Sequence, residues 1–433
     1  MTESPRPSVP NAEHVPLVVR TVRVDDPGAL VGLLPPRDDV ATWVRRGDGV
    51  VGWGVAAVCR PTGADRFSEA RDWWAQHAGT AVVRDEVREP GTGLLCFGSF
   101  AFADQPGSSI LVVPEIVVGR RGSTTWVTTI GSGSISSTPE VTEQPAPAAP
   151  VGVTFADGAL SGTDWERVVA EAVGRINDGD LEKVVLARDL MATAADDVDV
   201  RWPLTRLSER YPMCWTFHVD GLMGATPEML VRRERGLVTS RVLAGTIRRT
   251  GDDARDLALA ATLARSSKDL EEHEYAVRSV ADALAPYCSS MNVPEAPFVL
   301  HLPNVMHLAT DVAGVIHEGG ADQATTSLDL AAALHPSAAV GGTPTAVATE
   351  LISEIEGMDR GRYAGPAQAG GRRALRTGTN LACASASSAA GSESATMPQP
   401  AKSRTRVPAY SAERSAMPNS PSPEASIQPT GPA

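Results

Sequence analysis

HPSAAVGGTPTAVATELISEIEGMDRGRYAG, residues His335 to Gly365, is the stretch from which the rest of the 433-residue chain is read. Gly341 and Gly342 carry no Cβ, so backbone N–H groups there can approach a bound anion closely. Pro344 suits the first turn of a helix. That helix would carry Val347, Leu351, Ile352 and Ile355 on one apolar face and end near Gly357. An anion-binding turn at a helix N-terminus is one reading. Ordinary Gly-Pro punctuation that binds nothing is the other, since short motifs match by chance.

Outward from this stretch, length and composition narrow the choice. A chain of this length can bury a substantial core, as two ordinary domains or one large one. The formal charge of -13 argues against a general nucleic-acid or anionic-membrane binder, so an anionic substrate would need a local positive site. Five cysteines, Cys59, Cys96, Cys214, Cys288 and Cys383, lie scattered without CxxC pairing, which suits a reducing compartment and no zinc knuckle. The opening MTESPRPSVPNAEH has no apolar core of a signal peptide, and no stretch approaches the roughly 20 apolar residues that span a bilayer. A cytoplasmic protein is expected, with residues 1–14 disordered.

Apolar alternation predicts strands at Leu17–Val24, Val50–Cys59, Leu94–Phe102, Ile110–Val118 and Trp126–Ile130, with a helix over Arg66–His77. Residues 131–150, rich in Ser, Pro, Ala and Gly, read as a linker or long surface loop. A helix over Thr163–Asn177 then follows, capped at Ser161 and closed by Gly179. Strand Lys183–Ala192, a helix near Pro203–Arg210, and strands Cys214–Val219, Gly221–Gly224, Met229–Arg233 and Leu237–Arg241 come next. Helices over Ala254–Ala264 and Lys268–Tyr287, strands Val299–Pro303, Val305–Ala309 and Asp311–Ile316, and a helix over Thr326–Leu334 complete the pattern. Mixed sheet with helices outside it is an α+β layered architecture.

Several side chains have an ordinary and a chemical reading. Lys183, in GDLEKVVLARDL, is on pattern an edge residue in water; buried, a lysine loses pKa by desolvation and can serve as a base. Glu228, in GATPEMLV, is on pattern a turn carboxylate; desolvated, it would stay protonated and could act as an acid. Glu272, in SSKDLEEHEYAV, sits among acids that a helix N-terminus attracts anyway. His307, in NVMHLATDVAG, reads as a core histidine.

Together these motifs resemble the chorismate-utilising enzymes, whose HPTPAVGGTP and later RGxYAG line the substrate pocket; here Ser337 and Ala338 replace the usual Thr-Pro. The resemblance is strong from Val168 to Gly365 and weak from Val15 to Arg120. It implies a chorismate-binding α+β domain over residues 15–365, with a divergent half at 15–130 and a second half at 151–365. By resemblance to the isochorismate synthase branch, Lys183 is the water-activating base, Glu228 the acid opposite it, and Glu272 the Mg²⁺ ligand. Gly245 and Thr246 of the LAGTxRR segment, His307 and Ala309 of HLxT, and Gly341, Gly342, Thr343, Tyr363 and Gly365 are the implied substrate contacts. The implied activity is Mg²⁺-dependent conversion of chorismate to isochorismate for menaquinone or siderophore synthesis, by a monomer. A salicylate synthase or an ammonia-using anthranilate or aminodeoxychorismate synthase component is the enzymatic alternative.

At Pro366 the resemblance stops. The 67 residues from Ala367 to Ala433 hold 15 Ala, 11 Ser and 8 Pro, no Phe or Trp and three acids, so a low-complexity disordered tail is expected over 366–433. The family's remaining strands, a substrate arginine and a second magnesium glutamate are missing from it. An altered reading frame near codon 366 is the inference, and a catalytically inactive, partly folded chorismate binder the non-enzymatic alternative.

Overall fold

The structure is a computed structural model and describes residues 15–105, 108–134, 137–317, 325–371, 379–383 and 404–409. Among these residues the helices are α1 (Arg66–Thr80), α2 (Gly162–Asn177), α3 (Arg201–Arg210), α4 (Asp253–Leu263), α5 (Ser267–Leu284), α6 (Ser327–Leu334) and α7 (Thr345–Ile355). Their starts follow local chemistry. Ser161 Oγ accepts the Asp164 N–H at 3.1 Å ahead of α2, Ser266 caps α5, and Thr326 with Asp329 forms a reciprocal capping box at α6.

Two large sheets carry the molecule. In the eight-stranded sheet, Leu222–Thr226 and Trp215–Val219 from the second half continue directly into Val40–Arg45 and Asp48–Trp53 from the first, and beyond them into Ile116–Arg121, Thr124–Ser132, Leu17–Val24 and Val82–Asp85. The seam is a true ladder, with Thr216 opposite Val44 and Phe217 opposite Trp43. In the ten-stranded sheet, Leu95–Ser99, Ile110–Val113 and Ala57–Cys59 of the first half share hydrogen-bonding edges with later strands, through Pro366–Gly371 and Thr379–Cys383 to Met229–Glu234, Leu237–Arg248 and Val305–Ile316. The halves therefore interleave, and one continuous apolar cluster runs from Leu17, Trp43 and Phe97 through Phe217 and Val242 to Val277 and Leu334. Helices α1, α5 and α6 lie outside this sheet, α1 burying Phe67, Ala70 and Trp74 as its periodicity predicts. The architecture is α+β.

Several expectations change. Strands Val40–Arg45, Val82–Asp85 and Thr154–Asp157 had no clear sequence signal: the first is buried on both faces and shows no alternation, and the last is exposed throughout. Strand Lys183–Ala192 is broken into Lys183–Val184 and Arg188–Thr193, because side chains rather than a neighbouring strand take the Val185 carbonyl and the Ala187 amide. Val305–Ala309 and Asp311–Ile316 are one strand, Val305–Ile316. In the 131–150 segment, the Gln144 N–H donates to Gly32 O, Val141 packs against Leu30 and its neighbours, and Pro145 O accepts from Arg201, so this stretch is docked on both halves. Pro366–Gly371, assigned above to the tail, is a strand with Ala367 and Gln368 buried. Small residues suffice there because the Leu95–Ser99 main chain supplies the pairing. Residues 1–14 and the tail apart from 366–371, 379–383 and 404–409 lie outside the described residues.

Candidate functional site

Lys183 is held in a two-stranded ribbon. Lys183 pairs with Thr343 and Val184 with Gly342, and the Glu182 and Val185 amides donate to Thr343 O at 2.9 Å and Gly341 O at 2.8 Å. Glycine at 342 is required by this contact: with φ +150, a Cβ there would stand 2.1 Å from the Lys183 carbonyl oxygen and 2.7 Å from Ala348. The close approach that Gly342 permits is thus to the lysine strand. Gly341 spends its N–H on Ser337 O at 2.9 Å, so the amide available for an anion in the sequence reading is already donated. Lys183 is half-buried, with Nζ itself out of contact with solvent. The chain holds three lysines, at 183, 268 and 402, among its 39 basic residues, so a lysine inside the fold stands out against a background of arginine.

A longer ladder pairs Leu237–Arg248 with Val305–Ile316 and is interrupted by a bulge between Ala244 and Thr246. Gly245 sits in the bulge with φ +76 and packs against Asp269 of α5 and Leu308. Side chains alternate across a strand, and a bulge inserts one residue and resets that alternation. Val242, Ala244 and Val312 thus pack in one cluster with Ala276 and Val277 of α5, while past the bulge Ile247 joins Met306 and Leu308 against Leu270. Thr246 is turned to the opposite face, where its Oγ1 meets His307 Nδ1 at 2.9 Å, with Ala309 next along on the same face. Thr246 is exposed and His307 half-buried; desolvation pushes the His307 ring down to about 4.

On the helix side of the ladder, His273 is buried and bridges Ala244 O at 3.2 Å and Thr310 Oγ1 at 2.7 Å. A carbonyl can only accept, so Nδ1 carries the proton and Nε2 accepts from the threonine hydroxyl. Burial lowers the His273 pKa most, the Ala244 bond opposes this, and the Lys183 charge lowers it further. Glu272 adjoins His273, half-buried, one turn beyond Asp269.

Glu228 is half-buried in the turn between Leu222–Thr226 and Met229–Glu234, where the chain passes from one large sheet to the other. Its amide donates to Thr226 Oγ1 at 3.2 Å, and the next residue pairs with Arg241, setting Glu228 alongside the strand that leads to the bulge. Tyr363 packs in a cluster with Val184, Val340 and Phe102. Gly365 abuts Phe100, where a Cβ would lie 2.0 Å from the carbonyl oxygen. The structure thus joins Lys183, Gly342 and Thr343 in the ribbon and sets His273 against Ala244 beside the Gly245 bulge; Thr246, His307 and Ala309 lie on the face of the ladder turned away from His273, and Gly365 has a packing role.

A magnesium ion takes one or two carboxylates and fills its shell with water and substrate oxygens. Among the described residues no three His, Cys, Asp or Glu side chains converge. One half-buried carboxylate, Glu272, fits an ion anchored at a single protein group and shared with an anionic substrate.

Sequence reasoning missed the pair that braces the ribbon. Glu356 at the end of α7 accepts the Ala187 N–H at 2.7 Å and pairs with Arg360, whose guanidinium donates to Val185 O at 2.7 Å and Val340 O at 3.0 Å. Their i, i+4 spacing is the only signal the sequence carries. Arg362 was also missed; it donates to Ser99 Oγ at 2.6 Å and Val219 O at 3.1 Å, and so anchors the RGRYAG turn to strands of both large sheets.

The family model for chorismate binding enzymes matches residues 38–369. Isochorismate synthase DhbC of Bacillus subtilis is 38% identical over 213 residues, which is 47% of this chain and 52% of that protein. A putative isochorismate synthase MenF of Mycobacterium tuberculosis is 42% identical over 199 residues, 43% of this chain and 52% of that protein. The chain spans about half the length of these curated relatives. Among solved structures, a putative 2,3-dihydroxybenzoate-specific isochorismate synthase of Bacillus anthracis superposes with a TM-score of 0.66 at 25% identity over 86% of this chain and 89% of that one. The menaquinone-specific isochorismate synthase of Escherichia coli, at 21% identity, shares the fold with a TM-score of 0.70, over 92% of this chain and 90% of that one.

Proposed function

The chain belongs to the chorismate binding enzyme family, and on that premise we propose that it is an isochorismate synthase acting on chorismate. The observation that carries this reading is Lys183, one of three lysines, fixed by backbone pairing in a ribbon with its Nζ shielded from water. A lysine can surrender its proton and act as a base, which an arginine cannot. In the proposed reaction Lys183 takes a proton from water, whose oxygen bonds to the ring carbon next to the carboxylate-bearing one. The ring double bonds shift, the 4-hydroxyl departs, and Glu228 supplies the proton that makes it water. One water enters and one leaves, so the result is an isomerisation.

The amides around the Gly245 bulge and the exposed Thr246 hydroxyl are suited to contacting substrate oxygens, and Ala309 leaves room on that face of the ladder. Glu272 is the residue that would hold Mg²⁺, which when bound would offset the charge of the ring carboxylate. Relatives named isochorismate synthases, both DhbC and MenF types, support the reaction and leave a siderophore and a menaquinone route equally consistent. The test is to incubate the full chain with chorismate and Mg²⁺ and to separate the products. Isochorismate without pyruvate is expected. Pyruvate release would point to a salicylate or anthranilate type of reaction.

A second reading, a chorismate binder without turnover, is favoured by one observation: the match to the family model ends at residue 369, ahead of the low-complexity tail. Chorismate binding by calorimetry with no product formed would establish that reading instead.

A further inference from the structure

We propose that the buried Glu356–Arg360 pair positions Lys183, an inference that rests on the reading of Lys183 as the base. Neither side chain is an ordinary surface ion pair: Glu356 is 0% and Arg360 3% exposed. Removing two charges from water is costly, and attraction between them repays it only when every remaining donor and acceptor finds a partner. Here they do. Glu356 Oε1 accepts from the Ala187 amide and from Arg360, and Oε2 takes the Arg360 Nε–H at 2.8 Å. The guanidinium directs two more N–H groups to Val185 O and Val340 O, and its Cζ lies over the Phe102 ring, 4.3 Å from the centroid.

The two carbonyls belong to different sides of the ribbon. Val185 follows Lys183–Val184, and Val340 precedes Gly342–Thr343, so one guanidinium ties the lysine side to the glycine side. Two residue pairs are too few for a stable strand pairing by themselves. The side-chain brace that follows α7 reinforces the backbone pairing that sets Lys183 against Thr343. A planar fork of donors with a permanent charge suits this task, because it reaches two carbonyls and a carboxylate at once. The pair touches backbone around the lysine and acts through it.

The scarcity of lysine makes the idea measurable. With the full chain, limiting acetic anhydride followed by mass spectrometry reads the reactivity of Lys183 against Lys268 as an internal standard. The double variant E356Q/R360M removes both charges together and leaves no orphaned ion inside the fold. It is expected to keep a cooperative melt while the Lys183-to-Lys268 labelling ratio rises at least threefold and the Val185 and Ala187 amides exchange faster with deuterium. An unchanged ratio, whether or not amide exchange speeds up, overturns the proposal. Should the double variant fail to fold, Glu356→Gln alone keeps an acceptor for the Ala187 amide and is expected to raise the ratio about twofold; no change there also overturns it. Chorismate turnover by the unmodified chain is measured alongside. Its absence would sink the isochorismate synthase reading, while the labelling ratio still decides whether the pair positions the lysine.

Discussion

Lys183→Ala should reduce conversion of chorismate by about 10² to 10⁴-fold, the usual contribution of a general base. Lys183→Arg should fare no better, since arginine keeps its proton and cannot act as a base. Initial rates of chorismate loss check both, and an arginine variant with near-full turnover would leave only an electrostatic role. For Glu272 the competing account is the helix dipole, which attracts acids to the start of α5 whatever their chemistry. Glu272→Gln should raise the Mg²⁺ concentration needed for half-maximal rate at least tenfold, whereas the same change at exposed Glu271 or Glu274 should leave it within about twofold. Equal shifts at all three positions would return the cluster to the dipole. At this scale the sequence was readable where chemistry and motif coincide, as at Lys183, and silent where function runs through the main chain. Nothing about Glu356 or Arg360 as letters reveals that they grip three backbone groups on the two sides of the ribbon.

Among the elements, the ribbon gives the sharpest contrast between two adjacent glycines. Gly342→Ala would drive a methyl into the Lys183 carbonyl at 2.1 Å, and overpacking of backbone against backbone should cost on the order of 3 kcal/mol. Gly341→Ala meets nothing closer than 3.4 Å and should cost little. Chemical denaturation of the two variants separates them, and equal losses would mean the ribbon is not formed as described. The helices were legible because caps and 3.6-residue periodicity are local properties; α1, α2 and α6 begin within a residue or two of where the sequence puts them. Strand limits were less so. Whether Leu237–Arg241 stops or continues to Arg248 depends on Val305–Ile316 arriving to pair with it, and no local window contains that information.

For the whole molecule, acid sensitivity follows from its buried imidazoles. His218, fully buried with Nδ1 bonded to Val40 O at 2.7 Å, is held down to about 4, chiefly by desolvation, as are His307 and His335. In the unfolded chain these rings take protons near 6.5. Between about pH 6.5 and 4 the unfolded state therefore binds more protons, and stability, level above that window, must fall as pH falls through it. His218 alone contributes at most about 3 kcal/mol to the loss. Urea midpoints at pH 7.5, 5.5 and 4.5 should decline steadily, and His218→Asn should flatten the decline; a flat profile in the unaltered chain would contradict the burial. Across this scale the class of fold was legible from mixed strand and helix patterns, but the weaving of the two halves was not, since nothing in Val40–Arg45 announces a partner more than a hundred residues downstream.

That weaving also has a meaning in time. A polypeptide is made from its N-terminus at about 5 to 20 residues per second, so Val40–Arg45 leaves the ribosome roughly 10 to 30 s before Trp215–Val219 exists to meet it. During that interval a nearly apolar strand edge is complete, twisted and without its neighbour, the kind of surface that recruits other chains. The protein's most hazardous moment is therefore early in its synthesis, and a holding chaperone on the nascent chain would matter more to its yield than any stabilising change in the finished fold.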